Sequence, residues 1–103
     1  MSQETINKIK EQINNNKIII YMKGTPDYPM CGFSAKAVYI LKSLNVDFFY
    51  VNILEDNDIR KELPLYSNWP TFPQIYFKGN LIGGADIMTE LYENEELEKI
   101  LKS

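Results

Sequence analysis

The sequence predicts an α/β fold, a mixed four-stranded sheet flanked by helices in the order α-β-α-β-α-β-β-α. Three observations carry this. Lys17-Ile-Ile-Ile-Tyr-Met22 is a short, continuous apolar run of the kind that forms a strand buried on both faces. A helical segment of about a dozen residues separates it from a second run, Phe48-Phe-Tyr-Val-Asn-Ile53; strand, helix and strand make a βαβ unit with parallel strands and a right-handed crossover. Further on, Lys78-Gly79-Asn80 divides two strand-like stretches and marks an antiparallel hairpin.

Each element has its own signal. Ile6, Ile9 and Ile13 fall at helical spacing, and Asn14-Asn15-Asn16 stops that first helix. After the first strand, residues 24–29 form a loop carrying Pro26 and Pro29. From Phe33 onward, Ala37, Ile40, Leu41 and Leu44 define the buried face of a second helix ending near Asn45, with Phe33 itself partly in the core. A short third helix begins near Asn57 or Asp58, behind capping residues, and Pro64 should weaken or kink it. The hairpin strands are Pro73-Gln-Ile-Tyr-Phe77 and Leu81-Ile-Gly83, with Gly79 supplying the left-handed turn conformation. Asp86 caps a last helix carrying Ile87, Leu91, Leu97, Ile100 and Leu101, with Asn94 as a point of interruption. No internal repeat or linker divides the chain, so residues 1–103 read as one domain.

Composition removes several classes of function. The formal net charge is -3, from 11 basic and 14 acidic residues, with no clustered basic face to bind nucleic acid or an anionic membrane. No apolar run approaches the ~18 residues of a membrane helix, and Met1-Ser2-Gln3-Glu4 lacks the basic pattern of an export signal. Histidine is absent, which excludes Cys-His and Ser-His nucleophilic pairs and imidazole metal ligands. The one cysteine, Cys31, can form no intrachain disulfide, and a lone thiol suits a reducing compartment. The cytoplasm is the expected location.

Cys31 is the first candidate for chemistry. Two prolines stiffen its approach, Gly32 removes a side chain beside the sulfur, and a helix begins at once, so the thiol feels the positive helix end and is presented rather than packed away. Serine occupies position 34, so any second sulfur comes from outside the chain. Other candidates keep two readings each at this point. Lys23 either folds over the loop toward the sulfur or ends a strand in solvent. Trp69-Pro70-Thr71-Phe72-Pro73 is either a rigid loop with Trp69 and Phe72 as core anchors, or a cis-proline turn that frees the backbone of Phe72 to pair with an extended peptide. Gly83-Gly84-Ala85-Asp86 is a tight turn with an N-cap, a close approach for a ligand whose amine Asp86 receives, or both. Arg60 and Lys61 either bind a ligand carboxylate or face solvent.

Taken in order, Lys23, Cys31-Gly32-Phe33-Ser34, Trp69-Pro70-Thr71-Phe72-Pro73 and Gly83-Gly84-x-Asp86 closely resemble the monothiol glutaredoxins of the Cys-Gly-Phe-Ser type, in their short single-domain bacterial form. The loop from Gly24 to Met30, longer than in dithiol glutaredoxins, fits that class. The resemblance implies a thioredoxin fold with glutathione in a groove beside Cys31. It further implies that Lys23 and Arg60 hold the glycine carboxylate, that the Phe72 backbone pairs with the cysteinyl part, and that the Ala85 backbone and Asp86 receive the γ-glutamyl end.

The family is associated with 2Fe-2S clusters. Four thiolates serve such a cluster, and two chains with two glutathiones supply them, so the expected function is a cluster-bridged homodimer that carries the cluster to apo iron-sulfur client proteins. The alternative is a glutathione-dependent thiol-disulfide oxidoreductase in which Cys31 removes glutathione from other proteins. Relatives also form mixed complexes with BolA-type proteins, a further partner that the resemblance allows.

Overall fold

The computed structural model describes residues 2–103. Its elements are α1 (Gln3–Asn15), β1 (Ile18–Met22), α2 (Gly32–Ser43), β2 (Phe49–Asn52), α3 (Asn57–Ser67), β3 (Gln74–Phe77), β4 (Asn80–Gly83), α4 (Ala85–Glu93) and α5 (Glu96–Leu101). The strands form one mixed sheet in the order β2-β1-β3-β4. β1 runs parallel to β2, with Ile20 opposite Tyr50, and antiparallel to β3, with Ile20 opposite Ile75; β4 completes the hairpin with β3.

The five residues of β1 are all buried, as the unbroken apolar run requires of a central strand covered on both sides. Its alternating side chains feed two cores. Ile18, Ile20 and Met22 meet Ala37, Ile40 and Leu41 of α2, with Met88, Leu97 and Leu101 closing that layer. Ile19 and Tyr21 meet Ile9 and Ile13 of α1 and Ile59 and Leu63 of α3 on the other face. Capping fixes where the second layer starts: Ser2 accepts from the Thr5 amide, Asp56 accepts from the Ile59 amide at 3.1 Å, and Lys8 reaches Asp56 at 2.6 Å to join α1 to α3.

Three local expectations change. The final helix breaks where the sequence marks Asn94 as an interruption: α4 ends at Glu93 with Asn94 as its C-cap, and Glu95 turns left-handed at φ 61 before α5, so the order gains a helix at its end. Gly84 is the N-cap of α4, which puts Asp86 in the first turn rather than at the cap. α3 runs on to Ser67 through Pro64, because burial of Ile59 and Leu63 holds the helix where the proline removes one amide donor.

The second core contains a tyrosine pair. The rings of Tyr21 and Tyr76 meet edge to face at 5.7 Å, with their hydroxyls donating to Gln12 Oε1 and Gln74 Oε1. Burial disfavours the phenolate, so the Tyr76 hydroxyl is pushed up to about 12 and that of Tyr21 is raised as well. In the unfolded chain both ionise near the ordinary tyrosine value of about 10, so the unfolded state loses protons first as pH climbs. The stabilisation these hydroxyls give is therefore complete below pH ~10 and is lost as pH rises toward and past 12. Urea midpoints measured between pH 8 and 11 should fall, and fall less steeply in Tyr76→Phe.

Candidate functional site

The site is built where β1 leaves the sheet. Lys23 follows β1, and Gly24, at φ 94, turns the chain where a side chain would collide with the Tyr28 carbonyl. The loop closes on itself: the Met30 amide donates to the Lys23 carbonyl at 2.9 Å, and Thr25 and Tyr28 exchange backbone hydrogen bonds. Asn52, at the end of β2, anchors the loop from the other side by accepting from the Gly24 amide at 2.9 Å. The product is a short, braced turn that delivers Cys31 to the N-cap of α2 in extended conformation, φ -156.

At that position Cys31 as a residue is half-buried and its thiol is held below the usual cysteine range. The Ser34 backbone amide is the main cause; burial opposes it, and the Phe33 amide, the Lys23 ammonium and the Ser34 hydroxyl add to the lowering. Of the two readings of Lys23, its position favours the one in which it faces the sulfur. Ser34 has a second bond, since its buried hydroxyl accepts from the Lys23 amide at 3.1 Å and so ties the first turn of α2 to the end of β1. Alkylation of Cys31 should accordingly keep its full rate to lower pH in the native protein than in the urea-unfolded one. Ser34→Ala and Lys23→Met should each move that midpoint upward, as a pH series of iodoacetamide rates will read.

Cys31 opens on a groove of about 790 Å³. Lys23 and Phe33 stand beside the sulfur, Arg60 and Pro64 come from α3, residues 69–73 form one wall, and Gly84, Ala85, Asp86 and Ile87 come from the start of α4. The structure thus brings Lys23, Cys31, Arg60, Phe72, Ala85 and Asp86 to one cavity, while Lys61 is not among its lining residues. The Phe72-Pro73 peptide is cis. Phe72 makes no backbone hydrogen bond among the described residues, and its ring packs against the α1 and α3 core. Phe33, expected partly in the core, is instead 62% exposed at the groove mouth, because the buried stripe of α2 runs through Ser34, Ala37, Val38 and Leu41. Trp69 lies on the wall against Gly84, where a methyl group would come within 3.4 Å of the indole nitrogen; that buried Nε1 has no hydrogen-bond partner among the described residues.

Several residues that shape the groove carry a weaker signal in the sequence. Gln74 is fully buried, donates to the Trp69 carbonyl at 2.9 Å and the Thr71 carbonyl at 3.3 Å, and accepts from Tyr76. It fastens the wall to β3. The signal was a lone amide inside a strand of core residues, which must find partners. Pro64 and Ile87 read as a helix breaker and a core position, and both turn out to line the cavity.

The Glutaredoxin family model matches residues 18–82, from β1 into β4. "Glutaredoxin 4" of Haemophilus ducreyi is 56% identical over 99 residues, covering 96% of this chain and 92% of that protein. "Probable monothiol glutaredoxin 2" of Rickettsia felis is 54% identical over 94 residues, covering 91% and 90%. Among solved structures, reduced apo GrxS14 of poplar superposes with a TM-score of 0.78 at 46% identity, covering 97% of this chain and 89% of that one. No helix among the described residues is long and apolar enough to cross a membrane. A thioredoxin-type sheet, a single thiol at the N-cap of α2 and relatives more than half identical over nearly their whole length agree: this chain belongs to the glutaredoxin family, among its monothiol members.

Proposed function

We propose that the chain binds glutathione in the Cys31 groove, and that two chains then hold a 2Fe-2S cluster between them as cargo for delivery to apo-proteins. The observation that carries this reading is the groove itself, whose lining gathers groups that suit a tripeptide beside one ionisable sulfur. Lys23 and Arg60 suit a terminal carboxylate. The unpaired backbone of Phe72 suits an extended peptide. The first amides of α4 suit a carboxylate and Asp86 an ammonium, as the γ-glutamyl end of glutathione requires.

Sulfur counting supports the rest. Among the described residues no cluster of three or more His, Cys, Asp or Glu is placed to hold a metal, so one chain offers a single soft ligand. Two Cys31 thiolates and two glutathione thiols make the four that a 2Fe-2S cluster takes. Ligands lent by a small molecule exchange readily, which suits a carrier in a reducing compartment such as the cytoplasm. A BolA-type protein supplying its own ligands could replace one of the two chains. Anaerobic reconstitution with iron, sulfide and glutathione tests the reading: absorption, metal analysis and native mass should report two irons per pair of chains, and omission of glutathione should prevent assembly.

One observation favours a second chemistry at the same site. A thiol that opens on the groove and is held below the usual cysteine range can attack a glutathione mixed disulfide. Cys31 would take the glutathionyl sulfur as the client thiolate leaves. A second glutathione thiolate would then attack the Cys31 adduct, returning the thiolate and releasing oxidised glutathione. A protein that stays colourless and monomeric in the reconstitution yet reduces mixed disulfides would decide for this reading.

A further inference from the structure

We propose that the outer edge of β2 binds an extended, basic peptide segment of a partner protein by strand addition. Among the described residues β2 ends the sheet, with β1 on one side and no strand on the other. The Ile53 amide donates to the Met22 carbonyl at 2.9 Å, so by the alternation of a strand Val51 and Phe49 also face β1. The amide and carbonyl of Tyr50 and the amide of Asn52 then point away from the sheet. These are the groups a new strand would pair with.

Edge strands are ordinarily protected by a lysine, a proline or a bulge. Phe49-Tyr50-Val51-Asn52 has neither of these residues, and the irregularity of the sheet lies elsewhere, between Ile75 and Tyr76. Phe49 and Tyr50 project to opposite faces and are 48% and 40% exposed, so each face of the edge carries an apolar lip for the alternate side chains of an added strand. Beside the strand, a cleft of about 380 Å³ extends toward Gln12 and Glu55.

Charge selects the occupant. Asp47 precedes β2 and Glu55 follows it; both are exposed, and neither has an ion-pair partner among the described residues. The nearby lysines are engaged elsewhere. Lys17, which the parallel register would set across from Asp47, holds its ammonium 5.9 Å from the Phe77 ring centroid, and Lys8 is bound to Asp56. A second copy is a poor occupant, since antiparallel pairing of two β2 edges brings the exposed Asp47 before one strand toward the exposed Glu55 after the other, acid against acid. A peptide with lysine or arginine at both ends of an alternating apolar run meets the acids and the lips together.

The test uses reduced, ¹⁵N-labelled protein and the peptide acetyl-Lys-Val-Thr-Val-Thr-Val-Lys-amide, with the same peptide carrying Glu for Lys as control. Saturable shifts of the Tyr50 and Asn52 amides, with about tenfold slower exchange at both, support the proposal. Asp47→Lys with Glu55→Lys should weaken binding about fivefold while leaving the backbone intact. Tyr50→Pro should abolish it by removing the outward amide while sparing the bonds to β1. Silence at β2, equal response to the acidic peptide, or doubling of the native mass at the β2 edge without peptide would overturn it. Neither the probe nor its readout involves Cys31, so this result and that of the reconstitution are independent.

Discussion

Replacing Cys31 with serine leaves a folded chain that assembles no cluster and exchanges no disulfide. The loss should be complete, because the chain has no second cysteine and no histidine to stand in as ligand or nucleophile. Folding should not suffer, since Cys31 as a residue is only half-buried and serine, among the best N-cap residues, can accept from the same Ser34 amide. Urea unfolding should place the variant level with the parent or up to about 1 kcal/mol above it. Reconstitution should yield colourless protein at the mass of one chain. A coloured, iron-containing variant would show that the cluster is held by other groups, and the proposed ligand set would fall.

Gly24→Ala should be the most damaging single methyl group near the site. Its φ of 94 lies in the left-handed region, and a Cβ there would stand 2.5 Å from the Tyr28 carbonyl oxygen and 2.7 Å from the Met30 amide nitrogen. Both neighbours are backbone within a loop closed by its own hydrogen bonds, so neither can turn aside as a flexible side chain would. Strain and displacement together should cost about 3 kcal/mol or more, which lowers the melting temperature by roughly 10–20 °C in a domain of this size. Gly32→Ala is the matched control: nothing lies within 4 Å of the added carbon, and the residue opens a helix, so stability should hold or rise slightly. Because Gly24 begins the turn that delivers Cys31, its variant should also shift the pH midpoint of alkylation toward that of the unfolded chain.

Much of this architecture is written in local pattern. Residues 17–22 read as a covered strand, and the Gly79 turn set β3 against β4. The thiol at position 31 was marked by the prolines before it and the helix after it. What escaped local reading depends on neighbours distant in sequence. The continuation of α3 past Pro64 follows from Ile59 and Leu63 being pressed into the α1 layer, which no propensity records. Phe33 matched the spacing of a core position, yet the stripe of α2 that packs on the sheet runs through Ser34, Ala37, Val38 and Leu41 and leaves its ring exposed at the groove. Ser34 read only as the place of a missing cysteine, and Gln74 had no reading beyond its strand; each is a buried brace whose partners, the Lys23 amide and the Trp69 carbonyl, appear only once the sheet is assembled.

The strand order also bears on how the chain is made. β1 lies inside the sheet, but its second neighbour, β3, is encoded more than fifty residues later, while β2 follows soon after. As the polypeptide leaves the ribosome, the βαβ half can close while one flank of Ile18–Met22, the most apolar strand in the molecule, still waits for its partner. That interval exposes the nascent chain to misassociation. Translation speed and holdase chaperones should therefore govern soluble yield more strongly than the equilibrium stability of the finished protein.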